Sequence, residues 1–164
     1  MFSNIILVLA TTCTALMAGL FFSYSCSVVL GLGALPDEEY IAAMQSINKA
    51  IQNPAFFIVF FGVLLLLPLS TWLNYSQPTS KTFWFLLAGT ILYLVAVFGT
   101  TVVGNIPLNN SLDKFKLLNA TKEAISSQRA MFENRWNNLN NIRTIASIVT
   151  LIFVIIACIN STKK

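Results

Sequence analysis

The sequence predicts an all-α integral membrane protein: a four-helix bundle with a short interfacial helix after the first span and a long, extended fourth helix. The chain has 164 residues, 56% of them hydrophobic and only 10% charged, whereas a soluble domain carries roughly a quarter charged residues. Four apolar stretches, about residues 5–33, 54–73, 83–103 and 142–159, come near or exceed the ~20 residues a helix needs to cross a bilayer. The connectors hold nearly all of the charged side chains. The chain is read as one membrane domain, residues 1–164.

The same composition excludes several classes. A net charge of +4 spread without a basic stripe does not suit nucleic acid. Cys13, Cys26 and Cys158 fall inside separate apolar runs and read as small buried hydrophobes rather than a disulfide framework. With no histidine and six carboxylates, no metal site, haem or other cofactor is expected.

The first span lacks a basic leader and is too long for the apolar core of a cleaved signal, so it is expected to remain in place. Along it Thr11, Ala15, Gly19, Ser23, Ser27 and Gly31 recur every four residues. Such a ridge of small side chains lets membrane helices approach closely, or leaves room for a flat ligand. The connector that follows opens with Pro36-Asp37-Glu38-Glu39, which suits a helix first turn. Tyr40, Ile41, Met44, Ile47 and Ile51 then recur at helical spacing, with Gln45, Asn48 and Lys49 between them. This predicts an amphipathic helix at the interface or over the mouth of the bundle.

Asn53-Pro54 begins the second span, in which Pro68 is expected to kink or end the helix. Asn74 to Thr82 is a short Ser/Thr/Pro-rich turn, making spans two and three antiparallel neighbours. The third span runs into Gly104-Asn105-Ile106-Pro107-Leu108-Asn109. Glycine freedom, two amides and a proline that lacks an N–H predict a polar turn at the membrane surface there. The third connector, Asn109 to Asn141, carries most of the charge. From about Thr121 it runs without a breaker into the fourth span, which predicts one long helix. The chain closes with a polar tail, Asn160 to Lys164.

Four spans place both termini on one side and the first and third connectors on the other. That face gathers Gln45, Asn48, Asn53, Asn105, Asn109, Trp136, Asn140, Asn141 and Arg143. Trp136, Asn140 and Arg143, at spacings of four and three, share one helix face. An arginine inside an apolar span is costly unless it meets a partner or water, so Arg143 is either a functional residue or one snorkelling to the headgroups. Together these side chains outline a polar-mouthed pocket between helices.

The segments Ile41-Ala42-Ala43-Met44-Gln45-Ser46-Ile47-Asn48, Asn53-Pro54, Gly104-Asn105-Ile106-Pro107-Leu108-Asn109 and Trp136-Asn137-Asn138-Leu139-Asn140-Asn141-Ile142-Arg143 resemble the anthrone oxygenase-like family of small four-helix membrane proteins. The resemblance covers most of the chain, and the Asn-Ile-Pro-Leu-Asn segment is its most specific part. Members often carry a tryptophan and a histidine where this chain has Leu139 and Asn141. The resemblance implies oxidation of an anthrone or similar polyphenol to a quinone by O2 without metal or flavin, and a location in the bacterial inner membrane. It implies catalytic roles for Arg143, Asn105 and Asn109, with Arg143 stabilising an anion. Gln45, Asn48, Trp136, Asn140 and Asn141 would bind substrate, and Glu133 is the nearest carboxylate. Expected partners are membrane lipid and a small aromatic or quinone-like ligand. The other class to be weighed is a non-enzymatic membrane protein holding a lipid, quinone or partner subunit in the same pocket. A transporter fits poorly, for there is no charged relay and no inverted repeat.

Overall fold

A computed structural model of the chain describes residues 1–75 and 80–161. Among the described residues there are five helices and no strand: α1 Phe2–Gly33, α2 Asp37–Ala50, α3 Pro54–Leu73, α4 Lys81–Lys114 and α5 Lys122–Ser161. All but α2 are long and apolar enough to cross a membrane. The start signals act as their chemistry requires. Asn53 caps α3 by accepting from the Phe56 N–H at 3.0 Å, with Pro54 in the first turn, and Ser80 caps α4 through the Phe83 N–H at 3.2 Å. Thr121 accepts from the Ala124 N–H at 3.3 Å where α5 begins.

The four spans form a ring in which α1 packs on α3 and α5, and α4 packs on the same two. α1 and α5 are antiparallel: Thr11 Oγ1 lies 3.3 Å from Cys158 Sγ near one end, and Thr144 Oγ1 donates to the Phe21 carbonyl at 3.0 Å near the other. Leu7, Met17, Phe21, Phe60, Val63, Leu67, Leu86, Tyr93, Val97 and Val154 fill the centre. The 40 residues of α5 extend about 60 Å, twice the ~30 Å thickness of a bilayer's hydrocarbon core. Its N-terminal half joins α2 and the end of α4 in a second core of Tyr40, Ile41, Met44, Leu112, Ile125, Phe132 and Trp136. The amphipathic helix expected after the first span thus lies over the bundle's end. Arg129 locks this layer down, pairing with Glu133 at 2.7 Å and Asp37 at 3.0 Å. It also donates to the Leu35 and Gly33 carbonyls at 2.7 and 2.9 Å, satisfying acceptors at the end of α1.

Two expectations are corrected. The polar turn at residues 104–109 is helix: Asn105 has φ −66° and ψ −41°, and α4 continues to Lys114. Wide π-helical turns at Tyr93–Gly99 and Thr101–Asn105 precede the proline. In such turns each amide reaches one residue further back, so the helix passes Pro107 without the bond the proline lacks. The chain breaks instead at residues 115–121, where Asn119 takes φ 70°. Asparagine tolerates this left-handed conformation better than most residues.

The small-residue ridge does not form a packed face. Thr11 is half-buried, but Ala15, Gly19, Ser23, Ser27 and Gly31 are exposed, and nothing lies within 4 Å of a Cβ built on Gly19 or Gly31. At 3.6 residues per turn, a row of every fourth residue drifts about 40° per step, so it cannot stay on one side. Leu7, Ala10, Thr14, Met17 and Phe21 make the buried face. Of the two outcomes expected at Pro68, a kink or an end, the end does not occur: α3 runs on to Leu73. Residues 76–79 of the expected 74–82 turn, and residues 162–164 of the tail, lie outside the described residues.

Gly89, unlike Gly19, is buried, and an added Cβ would sit 3.6 Å from Phe153 Cβ and 3.7 Å from Thr150 Cγ2. Gly89→Leu should therefore destabilise the bundle by about 1–3 kcal/mol through overpacking, while Gly19→Leu leaves it unchanged. Thermal unfolding in detergent checks this, and the reverse order would mean that the ridge is an interior surface.

Candidate functional site

Between the two cores lies a cavity of about 440 Å³, within the size range of small-molecule sites. Its walls come from α1 (Leu20, Phe21, Tyr24), α3 (Phe56, Phe57, Phe60, Phe61) and α4 (Phe98, Thr101, Val102, Asn105, Ile106, Asn109, Asn110). The end of α2 and the segment after it supply Asn48, Ile51 and Gln52; α5 supplies Trp136, Asn140 and Arg143. The α3 side is entirely aromatic, because Phe56, Phe57, Phe60 and Phe61 repeat at helical spacing. The polar side chains come from α4, from α5 and from the end of α2.

Arg143 is only 7% exposed. Its guanidinium carbon stands 4.6 Å from the Phe21 ring centre and 5.4 Å from that of Trp136, so two aromatic faces meet the charge. Nη2 donates to Asn140 Oδ1 at 3.0 Å. Asn140 is held in turn: its Nδ2 donates to Ser25 Oγ at 2.9 Å, and Ser25 lies 2.9 Å from Thr144 Oγ1. Among the described residues no carboxylate pairs with Arg143, and its Nε has no hydrogen-bond partner.

Trp136 is fixed from two directions. Its Nε1 donates to Asn109 Oδ1 at 2.7 Å, and its ring lies 5.5 Å from that of Tyr24 and 6.2 Å from that of Phe132. Asn105 is 1% exposed, yet neither atom of its amide has a partner, and Asn48 Nδ2 is likewise buried and unpartnered. A buried polar group left unpaired costs about 1–3 kcal/mol. Three such atoms, two on α4 and one on α2, describe a cavity suited to a ligand that brings both acceptor and donor oxygens.

Of the residues singled out from the sequence, Asn48, Asn105, Asn109, Trp136, Asn140 and Arg143 line this cavity. Gln45 and Asn141 do not. Gln45 Nε2 donates to the Leu112 and Phe115 carbonyls, both at 2.8 Å, and so ties α2 to the end of α4. Asn141 is exposed and accepts from Ser25 at 3.1 Å. Glu133 is likewise outside, engaged by Arg129. Sequence reasoning passed over Tyr24, Ser25 and Thr101. Tyr24 and Ser25 lie in a π-helical stretch, Tyr24–Val28, whose changed register no regular periodicity reveals. The phenylalanines of α3 did carry a signal, the paired i, i+4 repeats, but in an apolar span it is hidden among other hydrophobes.

Compared with models of protein families, the chain matches the one described as anthrone oxygenase over residues 41–153. The match takes in all six polar or amphipathic cavity residues just named and leaves out the α1 wall. Comparison with curated proteins and with solved structures returned no match.

Since Asn140 rather than Asn141 holds Arg143, Asn140→Ala should lower stability by about 1.5–3 kcal/mol, the scale of a hydrogen bond to a charged group. Asn141→Ala, at an exposed site, should stay within about 0.5 kcal/mol. Chemical denaturation in mixed micelles checks the pair, and equal losses would contradict the assignment.

Proposed function

The chain belongs to the anthrone oxygenase family, and from that premise we propose that it oxidises a flat phenolic substrate with O2 inside the membrane, the substrate itself supplying the electrons. One observation carries the reading: a buried arginine without a carboxylate partner among the described residues stands at the polar end of an aromatic-walled cavity. Such a site is complementary to a ring system bearing a negative oxygen.

The chemistry then balances as follows. Removal of a ring C–H proton leaves an anion delocalised onto oxygen. That anion gives one electron to O2, and the resulting carbon radical and superoxide combine to form a C–O bond. Protonation gives a hydroperoxide, and loss of water across it leaves a quinone carbonyl. The substrate has lost two hydrogens and gained one oxygen atom; the other oxygen atom leaves in water.

In this reading Arg143 meets the oxyanion, and its charge lowers the pH at which the substrate ionises. Asn105 and Asn48 offer amide N–H groups to ring oxygens, Asn105 Oδ1 accepts from a hydroxyl, and Trp136 faces the ring plane. Asn109 acts through Trp136, whose orientation it holds. The family's usual histidine position, Asn141, reaches the cavity only through Ser25 and Asn140. With neither carboxylate nor imidazole among the described lining residues, the proton passes to water or hydroxide. A second reading, a lipid- or quinone-binding protein without catalysis, is favoured by that same lack of a base.

The test is oxygen uptake by the purified protein in nanodiscs with a hydroxyanthrone, followed together with quinone absorbance. Turnover should exceed that of empty nanodiscs and rise with pH, with a midpoint below that of the free substrate. Arg143→Gln should cost about 10²–10³-fold, as loss of an oxyanion donor does. No excess over empty nanodiscs would remove the oxygenase reading, and tight binding without oxygen uptake would favour the second one.

A further inference from the structure

We propose that ligands reach the cavity sideways from the bilayer, through a slot between α3 and α4 framed by Phe57, Phe61, Val102 and Ile106, so that the molecules admitted are those that dissolve in lipid. The inference rests on the preceding reading only for the flat, oxygen-bearing character of what lodges at the inner end.

The four frame residues have two properties at once. Each lines the cavity, and each is exposed: Phe57 by 39%, Phe61 by 49%, Val102 by 43% and Ile106 by 44%; of the other lining residues the polar Gln52 and Asn110 are exposed too, at the edge nearest the connectors. A wall residue both exposed and cavity-lining marks an opening. Its depth follows from helix geometry. Phe57 and Phe61 lie about 5 and 10 Å along α3 from Pro54, and the ~30 Å of that helix matches the hydrocarbon thickness. The opening therefore faces acyl chains of one leaflet.

The backbone arrangement agrees. α3 packs mainly on the Lys81–Leu92 part of α4. There Thr71 Oγ1 lies 2.9 Å from Thr90 Oγ1, and the Tyr75 and Phe83 rings meet at 5.8 Å. Toward the cavity the two helices are bridged by the Phe60 and Phe98 rings, 6.1 Å apart. The aqueous side is roofed in part, with Gln52 and Asn110 left exposed at its edge. Gln45 binds the Leu112 and Phe115 carbonyls, Lys49 pairs with Asp113 at 3.1 Å, and Leu112 is buried against α2. These links join α2 to the end of α4 above the slot.

The chemistry is graded along the route. An apolar frame gives way to Asn105, Asn140 and Arg143 at the back. A molecule already in lipid passes the frame without losing hydration and gains polar partners inside. A hydrated anion from the aqueous phase would have to shed water at phenylalanine, which is costly.

The experiment uses the Trp72→Phe/Trp84→Phe protein in nanodiscs, which leaves Trp136 as the single tryptophan. Anthraquinone, which partitions into lipid, is compared with anthraquinone-2-sulfonate, which stays in water. Anthraquinone should quench Trp136 in proportion to its mole fraction in the bilayer. Val102→Phe should slow the onset about tenfold, a barrier increase of ~1.4 kcal/mol. Phe61→Ala, which widens the frame, should hasten it, and Lys49→Ala should not change it. The proposal is overturned if the sulfonate quenches as fast, or if Lys49→Ala speeds the onset while Val102→Phe leaves it unaltered. Absence of any anthraquinone quenching would count against the flat-ligand reading instead. Phosphatidylcholine with brominated acyl chains then decides the slot by itself: quenching of Trp136 relieved by Val102→Phe upholds it, and no quenching overturns it.

Discussion

A guanidinium held out of water in the middle of a long apolar helix has to be compensated locally, and much of the structure answers to that requirement at Arg143. Burying an ion costs several kcal/mol after relaxation, even where partners are present. Here the compensation is spread over neutral groups: the faces of Phe21 and Trp136, and the side-chain Oδ1 of Asn140. Two of these are themselves held by other helices. Ser25 of α1 orients Asn140, and Asn109 of α4 orients Trp136. Three of the four spans are thus tied to one charge. Neutral partners leave its net charge available to a ligand, which a buried carboxylate would not.

Two of the four long helices that meet the cavity are irregular. α1 widens into π-helical turns at Tyr24–Val28, and α4 does so at Tyr93–Gly99 and Thr101–Asn105, whereas α3 and α5 are regular throughout their described lengths. A wide turn inserts a residue and rotates everything beyond it, and such turns recur at functional sites. In α1 the widening brings Ser25 to Asn140 while Ser23 and Ser27 stay outside. In α4 it buries Asn105 and carries the helix past Pro107. Gly104 serves the same region sterically: a Cβ there would come within 2.8 Å of Leu139 Cδ1.

Composition and run length made the fold legible. The four spans, the amphipathic helix at Asp37–Ala50 and the unbroken helix from about Thr121 all follow from apolar period and cap chemistry. The six cavity residues could be grouped because antiparallel spans bring two connectors to one end. What stayed hidden turns on helix geometry. Reading residues 104–109 as a turn presumes that a proline must break a regular helix, and reading the small row of α1 as a packed face presumes that a four-residue repeat stays on one side. Local widening defeats the first presumption and rotational drift the second. Gln45 and Asn141 carry the same amide as Asn48 and Asn140, but one helical step decides whether that amide faces a cavity, a backbone carbonyl or the outside.

The central assignment is that Arg143 presents its charge to an oxygen of a bound aromatic. The most direct measurement is the visible absorbance of 1,8-dihydroxyanthraquinone bound to the protein, titrated with pH beside the free compound. A nearby guanidinium favours the phenolate, so the bound midpoint should lie below the free one and return toward it in Arg143→Gln. A bound midpoint equal to or above the free value, and unmoved by that substitution, would contradict the assignment.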